Sequence, residues 1–341
     1  ILDLLGVEHA LAVITKKDLV DEDLLGLVEL EVEDVLKGTS LEGSRILSVS
    51  ATTRDGIPEL LEAIDEVLNE TARRRDIGRP RLAVDRSFSI SGFGTVVTGT
   101  LIDGALQVGQ EVEIVPSGRK SRIRGLQSHQ EKIEAADPGN RVAVNLTGVS
   151  SDEVSRGEVV TTPGWLHATR AIDARIHLLA GAPWAMRHNY RATFHAYASE
   201  TPATVRLLDY DRLEPGEEGW AQVLLAEPIA LARGDRFVIR STEETLGGGT
   251  VVDVDAKRHR RRHGPTLERL ERISAGSPSA QLLTALEAQE PSDVASLAKR
   301  ANIADAEALD LARQAVEEGS AMALGEALDS GSMLYTLAGW T

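Results

Sequence analysis

The sequence predicts a multidomain protein that joins an α/β region, an all-β region and a helical region, in that order. Three observations carry this. Apolar runs and helical spacing alternate over residues 1–70, glycine-bounded strand patterns fill residues 81–254, and helical spacing returns after residue 265. A chain of 341 residues is also too long for one ordinary core.

Ile1–Leu5 has helical spacing and reads as the end of a helix already under way. With no basic leader and no small-residue cleavage site, the chain is expected to be a fragment rather than to open on a signal peptide. His9–Ile14 is a short apolar run suited to a buried parallel strand. Asp21–Leu36 then places Leu24, Leu25, Val28, Val32, Val35 and Leu36 on one helical face, and Ile46–Val49 is a second buried strand. Gly56-Ile57-Pro58 opens a helix that reaches about Thr71. Strand, helix, strand, helix over residues 1–72 is the back half of a doubly wound domain.

Arg73–Pro80 is a polar, Gly/Pro-punctuated linker, with Arg73-Arg74-Arg75 as its hinge. Short strands separated by Gly92, Gly94, Gly99, Gly104, Gly109, Gly118 and Gly125 then predict β-barrels. The stretch is too long for one small barrel, so two are expected, 79–163 and 168–256, joined near Thr161-Thr162-Pro163-Gly164. Over 275–341, three helices (Ala280–Glu287, Val294–Ala301, Asp305–Glu318) precede a hairpin, Ala321–Leu324 with Met333–Leu337. That is the outline of a winged helix.

The absence of cysteine excludes disulfides, thiolate nucleophiles and cysteine-ligated zinc. No apolar run approaches the ~18 residues of a membrane-spanning helix. A net charge of -16 argues at first sight against a nucleic-acid partner. The charge is unevenly spread: residues 1–70 hold 5 Lys+Arg against 17 Asp+Glu, residues 264–341 hold 5 against 12, and residues 71–263 hold 27 against 24. A polyanion is expected to meet the middle of the chain. Aromatic content of 4%, with Trp165, Trp184, Trp220 and Trp340 scattered, argues against a stacking surface for single strands.

Thr15-Lys16-Lys17-Asp18 directly follows the first buried strand, at the strand end where open α/β sheets bind ligands. There Asp18 can accept two hydrogen bonds from a guanine edge while the Lys16 stem covers the base; taken alone, it reads more readily as a solvated aspartate opening the next helix. Ser48-Val49-Ser50-Ala51-Thr52 follows the neighbouring strand, where the Ala51 amide can meet the guanine O6. The two loops together describe a guanine pocket. Gly247-Gly248-Gly249-Thr250 lacks a lysine and is read as a turn, not a phosphate loop.

These residues resemble a family. Thr15-Lys16-Lys17-Asp18 is similar to the fourth guanine-nucleotide motif of translational GTPases, with Thr for the usual Asn, and Ser50-Ala51-Thr52 to the fifth. Arg81–Phe88, continuing through Gly92–Thr100, resembles the start of their second domain. The Asp85-Arg86 pair, the Thr variant and the helical extension together resemble the bacterial selenocysteine-specific elongation factors, over essentially the whole chain.

The resemblance implies a partial P-loop GTPase α/β domain, two translation-factor β-barrels and a winged-helix module. GTP is the implied cofactor, held here by Thr15, Lys16, Asp18, Ser50, Ala51 and Thr52, with the phosphate loop and magnesium ligands expected upstream. Hydrolysis by these residues alone is therefore not expected. Implied partners are selenocysteinyl-tRNA, the ribosome and a selenoprotein mRNA hairpin met through further winged helices, with a monomeric protein in the cytoplasm and no membrane.

Asp85, Arg86 and Arg141 fall where the family places its selenocysteinyl pocket. A selenol is ionised at neutral pH, so a guanidinium favours it over the serine hydroxyl; exposed strand ion pairs of little energetic value are the plainer reading. His188, Arg191 and His195 fall where the family contacts the acceptor arm, alternation placing Arg191, Thr193 and His195 on one face. The run Lys257–His263 suits either a tRNA backbone or a solvated linker. Lys299-Arg300 is the only adjacent basic pair in an acidic end region, which fits a spacer better than an RNA reader. An ordinary elongation factor or a GTP-dependent sulfate-activating subunit should stop after the second barrel. A non-catalytic tRNA- or ribosome-binding module is the remaining alternative.

Overall fold

The computed structural model describes residues 1–71, 76–323 and 328–337. The chain divides into two compact units, Ile1–Arg73 and Arg74–Thr341. The expected hinge at Arg73–Arg75 and the residues Leu324 and Trp340 lie outside the described residues.

In the first unit, β1 (Leu11–Ile14) and β2 (Arg45–Ser48) pair in parallel, with Leu11 opposite Arg45 and Ile14 opposite Ser48. Helix α1 (Glu22–Leu36) begins where the Asp21 carboxylate accepts a hydrogen bond from the Leu24 amide at 2.9 Å. Helix α2 (Ile57–Glu70) begins at Gly56, whose φ is 77°. A Cβ there would lie 2.5 Å from the Ser48 carbonyl oxygen, so this turn requires glycine on two counts. The packed stripe of α1 is Leu25, Val28, Val32 and Leu36. Leu24 and Val35, expected on that face, are exposed, because they lie to one side of the line that 25, 28, 32 and 36 trace on a helix of 3.6 residues per turn. Ile1–Leu5 forms one turn, closed by the Leu5 amide on the Ile1 carbonyl at 3.0 Å, too short to be a helix.

The second unit opens with a barrel of β3 (Arg81–Ile90), β4 (Gly94–Ile102), β5 (Glu111–Val115), β6 (Arg119–Ser128), β7 (Arg141–Thr147) and β8 (Val159–Thr161). The spatial order is β7-β4-β3-β8-β5-β6, and pairing of β6 with β7 closes it. Alternate residues such as Leu82, Val84, Val97, Leu101, Val142 and Val144 fill its interior. The second barrel consists of β9 (Ala168–Leu178), β10 (Tyr190–Ala196), β11 (Ser199–Leu207), β12 (Glu218–Ala230), β13 (Arg236–Arg240) and β14 (Thr245–Asp253). It closes in the order β9-β12-β11-β10-β13-β14 around the stacked rings of Phe194 and Phe237, 4.8 Å apart.

Arg81 ties the barrels together. Its guanidinium bonds both carboxylate oxygens of Asp235, at 2.7 and 2.8 Å, pairs with Asp103, and lies over the rings of Trp165 and Tyr197. Burial alone would depress the Arg81 pKa, but Asp235 and Asp103 outweigh it and hold the group firmly charged.

Helix α3 (Gly264–Ala275) lies where helical spacing returns after residue 265, but ahead of the three helices that the spacing singles out. Its apolar face is only Leu267, Leu270 and Ile273 behind a basic run, and it packs on Leu208, Trp220 and Val252 of the second barrel. Helices α4 (Pro278–Ala288), α5 (Val294–Ala301) and α6 (Asp305–Glu317) follow. They share a core with a three-stranded antiparallel sheet of β15 (Ser292–Asp293), β16 (Ala321–Ala323) and β17 (Met333–Thr336), in which β17 is central. Arg79 joins this module to the start of the first barrel: it donates to the carbonyls of Ala298 at 2.9 Å and Ile303 at 2.8 Å, and pairs with Asp305.

Candidate functional site

The loops that follow β1 and β2 meet in the first unit. The Lys17 amide donates to the Val49 carbonyl at 3.2 Å, and the Lys17 ammonium pairs with Asp55 at 2.7 Å. Lys16 adopts a left-handed φ of 64°, so the chain turns sharply between Thr15 and a short 3-10 turn, Lys17–Leu19. Ser50 is fully buried; its hydroxyl accepts from the Thr53 amide at 3.1 Å and its amide donates to the Asp55 carbonyl. That pinning leaves Ala51 and Thr52 exposed. Thr15, Lys16 and Asp18 are exposed as well, and among the described residues the Asp18 carboxylate has no hydrogen-bond or ion-pair partner. The residues fit a guanine edge: an unengaged carboxylate on one loop, and an exposed turn on the other.

On the first barrel, the register of β3 against β4 shifts between Val84 and Arg86, a β-bulge that turns Asp85 towards its neighbours. The Asp85 carboxylate accepts the Thr98 hydroxyl at 2.6 Å and two N–H groups of Arg141, at 2.5 and 3.2 Å. This is a two-point guanidinium–carboxylate pair bridging β3 to β7 across β4. Partial burial would raise the Asp85 pKa, but the Thr98 bond, Arg141 and the nearby charge of Arg86 outweigh it and hold the carboxyl below its usual value. Arg86 is exposed and, among the described residues, has no hydrogen-bond or ion-pair partner. The cluster therefore presents one oriented and partly neutralised guanidinium beside one uncommitted one. Thr98 was missed by sequence reasoning: it lies on β4 opposite Arg86, beside the bulge, a register that only the strand pairing reveals.

The basic residues on the second barrel divide. The His188 ring bonds the Leu207 carbonyl at 3.0 Å, and burial lowers its pKa, which marks a structural histidine. Arg191, Thr193 and His195 do lie on the face of β10 opposite buried Phe194 and Ala196. In the run Lys257–His263, the His259 ring bonds buried Asp173 at 2.6 Å, and Arg261 and Arg262 both pair with Asp211, at 2.5 and 2.6 Å. The run is a strap fastened to the second barrel, with Arg258 and Arg260 pointing outward.

Two family models match inside this architecture: elongation factor Tu domain 2 over residues 94–161, and the β-barrel domain of selenocysteine-specific elongation factors over residues 173–258. A selenocysteine-specific elongation factor of Desulfomicrobium baculatum is 41% identical over 288 residues, which cover 84% of this chain and 45% of that protein. Over most of its length the chain is similar to the selenocysteine-specific elongation factors. It spans less than half the length of that relative. Among solved structures, a bacterial selenocysteine-specific elongation factor, EF-Sec, matches with a TM-score of 0.76 at 21% identity, covering 97% of this chain and 52% of that one. Elongation factor SelB of Methanococcus maripaludis, solved with the GTP analogue GppNHp, matches with a TM-score of 0.66 at 25% identity, covering 74% of this chain and 61% of that one. The two barrels are thus the translation-factor pair. No described helix is long and apolar enough to cross a membrane.

Proposed function

We propose that the protein binds GTP and selenocysteinyl-tRNA and delivers the tRNA to the ribosome at recoded UGA codons. The observation that supports this most is the Asp85-Arg86-Arg141 cluster on a translation-factor barrel. Asp85 fixes the plane of Arg141 and leaves its remaining N–H groups outward, while Arg86 lies nearby and, among the described residues, is in no ion pair. A selenolate gains a charge-assisted contact there that a neutral serine hydroxyl does not. In the guanine half-site, Asp18 would take the base edge, Lys16 would cover its face, and Ala51 would donate to O6, with Thr15, Ser50 and Thr52 shaping the two loops. The three helices and small sheet at the end form a winged-helix spacer in this reading, and the mRNA hairpin is met by further such modules. The protein acts as a monomer in the cytoplasm.

The test is affinity of the full-length protein for seryl- and selenocysteinyl-tRNA in the presence of GTP. Arg86→Ala is expected to weaken selenocysteinyl-tRNA binding about tenfold and to leave seryl-tRNA binding unchanged. Equal affinities for the two tRNAs, with Arg86→Ala altering neither, would remove the selenolate pocket. Asp18→Asn should separately weaken GTP binding.

A further inference from the structure

A cleft of about 620 Å³ lies between the second barrel and the helical module, within the second unit. That volume falls in the usual range of ligand sites. Five cationic side chains line it, Arg170, Arg233, Arg269, Lys299 and Arg300, against two carboxylates, Asp253 and Asp255. Three of the cations are already paired: Arg170 with Glu227 at 3.5 Å, Arg269 with Asp253 at 3.1 Å, and Arg300 with Asp255 at 3.6 Å. Arg233 and Lys299 have no ion pair among the described residues. They come from different modules, the barrel turn after β12 and the last turn of α5. Arg233 also lines a second, smaller cavity of about 160 Å³ with Ile273 and Asn302, so it stands in the wall between two open spaces.

We propose that this cleft is a phosphate-binding site, in which Arg233 and Lys299 hold one phosphate group between the barrel and the helical module. Arg233 is half-buried, and among the described residues its side chain donates only to the Ile273 carbonyl. Burial pushes its pKa down to about 10, only partly offset by Asp253, which is committed to Arg269. An incompletely compensated, partly desolvated cation facing a cleft is stabilised when an anion arrives. The neutral wall adds a donor for a further phosphate oxygen in the side-chain NH2 of Gln289, whose Oε1 accepts from Arg300. Neither the guanine half-site nor the Asp85 cluster contributes to the cleft, so the proposal is independent of the function proposed above.

The phosphate can belong to an RNA strand or to a free small polyphosphate, and titration separates the two. Tripolyphosphate and an oligouridylate are titrated into the full chain at low and at raised salt, by calorimetry. Lys299→Ala removes an exposed side chain and should leave the fold intact, yet weaken whichever probe binds by about tenfold. Arg233→Ala should weaken it further, and Arg233→Lys, which keeps the charge, should recover part of the loss. Arg122→Ala, on the outer face of the first barrel, should change nothing. Binding of oligouridylate alone assigns the site to a strand, and binding of tripolyphosphate alone assigns it to a small ligand. Binding of neither probe, or binding that Lys299→Ala leaves intact, overturns the proposal.

Discussion

Strand β3 carries two arginine–aspartate pairs four residues apart, built alike and put to opposite ends. Arg81 with Asp235, and Arg141 with Asp85, each make two parallel N–H···O contacts. In the first pair the side chains are 5% and 2% exposed; in the second they are 57% and 27% exposed. Enclosed by Trp165 and Tyr197, the Arg81 pair is a rivet between two barrels. Open to solvent, the Asp85 pair holds a guanidinium in a fixed plane with donors to spare. Burial, not pairing geometry, separates a structural contact from a candidate binding one.

The comparison breaks most readily at Asp235. Asp235→Ala leaves buried Arg81 with Asp103 as its remaining carboxylate and takes the acceptor from the Tyr197 hydroxyl and the Ala232 amide, and a loss of roughly 3 kcal/mol is expected in urea unfolding of the protein. Replacing Arg81 by Met and Asp235 by Leu together should recover only part of that loss, because it removes two desolvated charges but leaves Asp103 without Arg81 and the Tyr197 hydroxyl without its acceptor. If Asp235→Ala costs less than about 1 kcal/mol, the rivet has the energetics of a surface pair and the contrast collapses.

Little of this contrast was legible in the sequence. Regular periodicity carried far: Val294–Ala301 is a helix over the residues its spacing marks, and β1, β2 and α2 lie where apolar runs and Gly56-Pro58 put them. The string from Arg81 to Thr100 marked the first two strands of a barrel. What it could not show is that Arg81 meets Asp235, 154 residues away, because tertiary pairing leaves no local pattern. The same holds for Arg233 and Lys299, which are brought to one cleft by the docking of separate modules. Charge spacing left Lys257–His263 open between a phosphate-backbone track and a solvated linker, and could not show that Asp173 and Asp211 consume part of the run. Helix α3 was not singled out, since three apolar positions among arginines and glutamates make a weak stripe, completed only by Trp220 and Leu208 from the barrel.

A smaller effect is expected at Thr98, which belongs to the exposed pair alone. Thr98→Val keeps the shape of the residue but removes the hydroxyl that donates to Asp85 at 2.6 Å, and should cost about 1 kcal/mol of stability. Its second readout is functional. With Asp85 less firmly held, Arg141 loses its fixed plane, so discrimination between selenocysteinyl- and seryl-tRNA should fall while GTP affinity stays constant. A variant that loses stability and keeps full discrimination would show that Thr98 serves the fold only.

The smallest effect is a pH dependence that belongs to the exposed pair. Partial burial favours the neutral Asp85 carboxyl, yet the Thr98 hydroxyl, Arg141 and Arg86 overcome it, so the folded pKa lies below the unfolded one. The unfolded chain therefore takes up the proton first as pH falls, and the stabilisation from ionised Asp85 is complete above the unfolded value near 4. It is lost as pH drops through the lower folded value. Unfolding free energies measured from about pH 6 to about pH 3 should thus fall more steeply for the wild type than for Asp85→Asn, which has no proton to bind. Exposure of the pair to solvent and salt keeps this difference small, and raising the ionic strength should shrink it further. Curves of equal slope would mean that Asp85 gains nothing from Arg141 in the folded state, and the exposed pair would then be too loosely held to orient a guanidinium for a ligand.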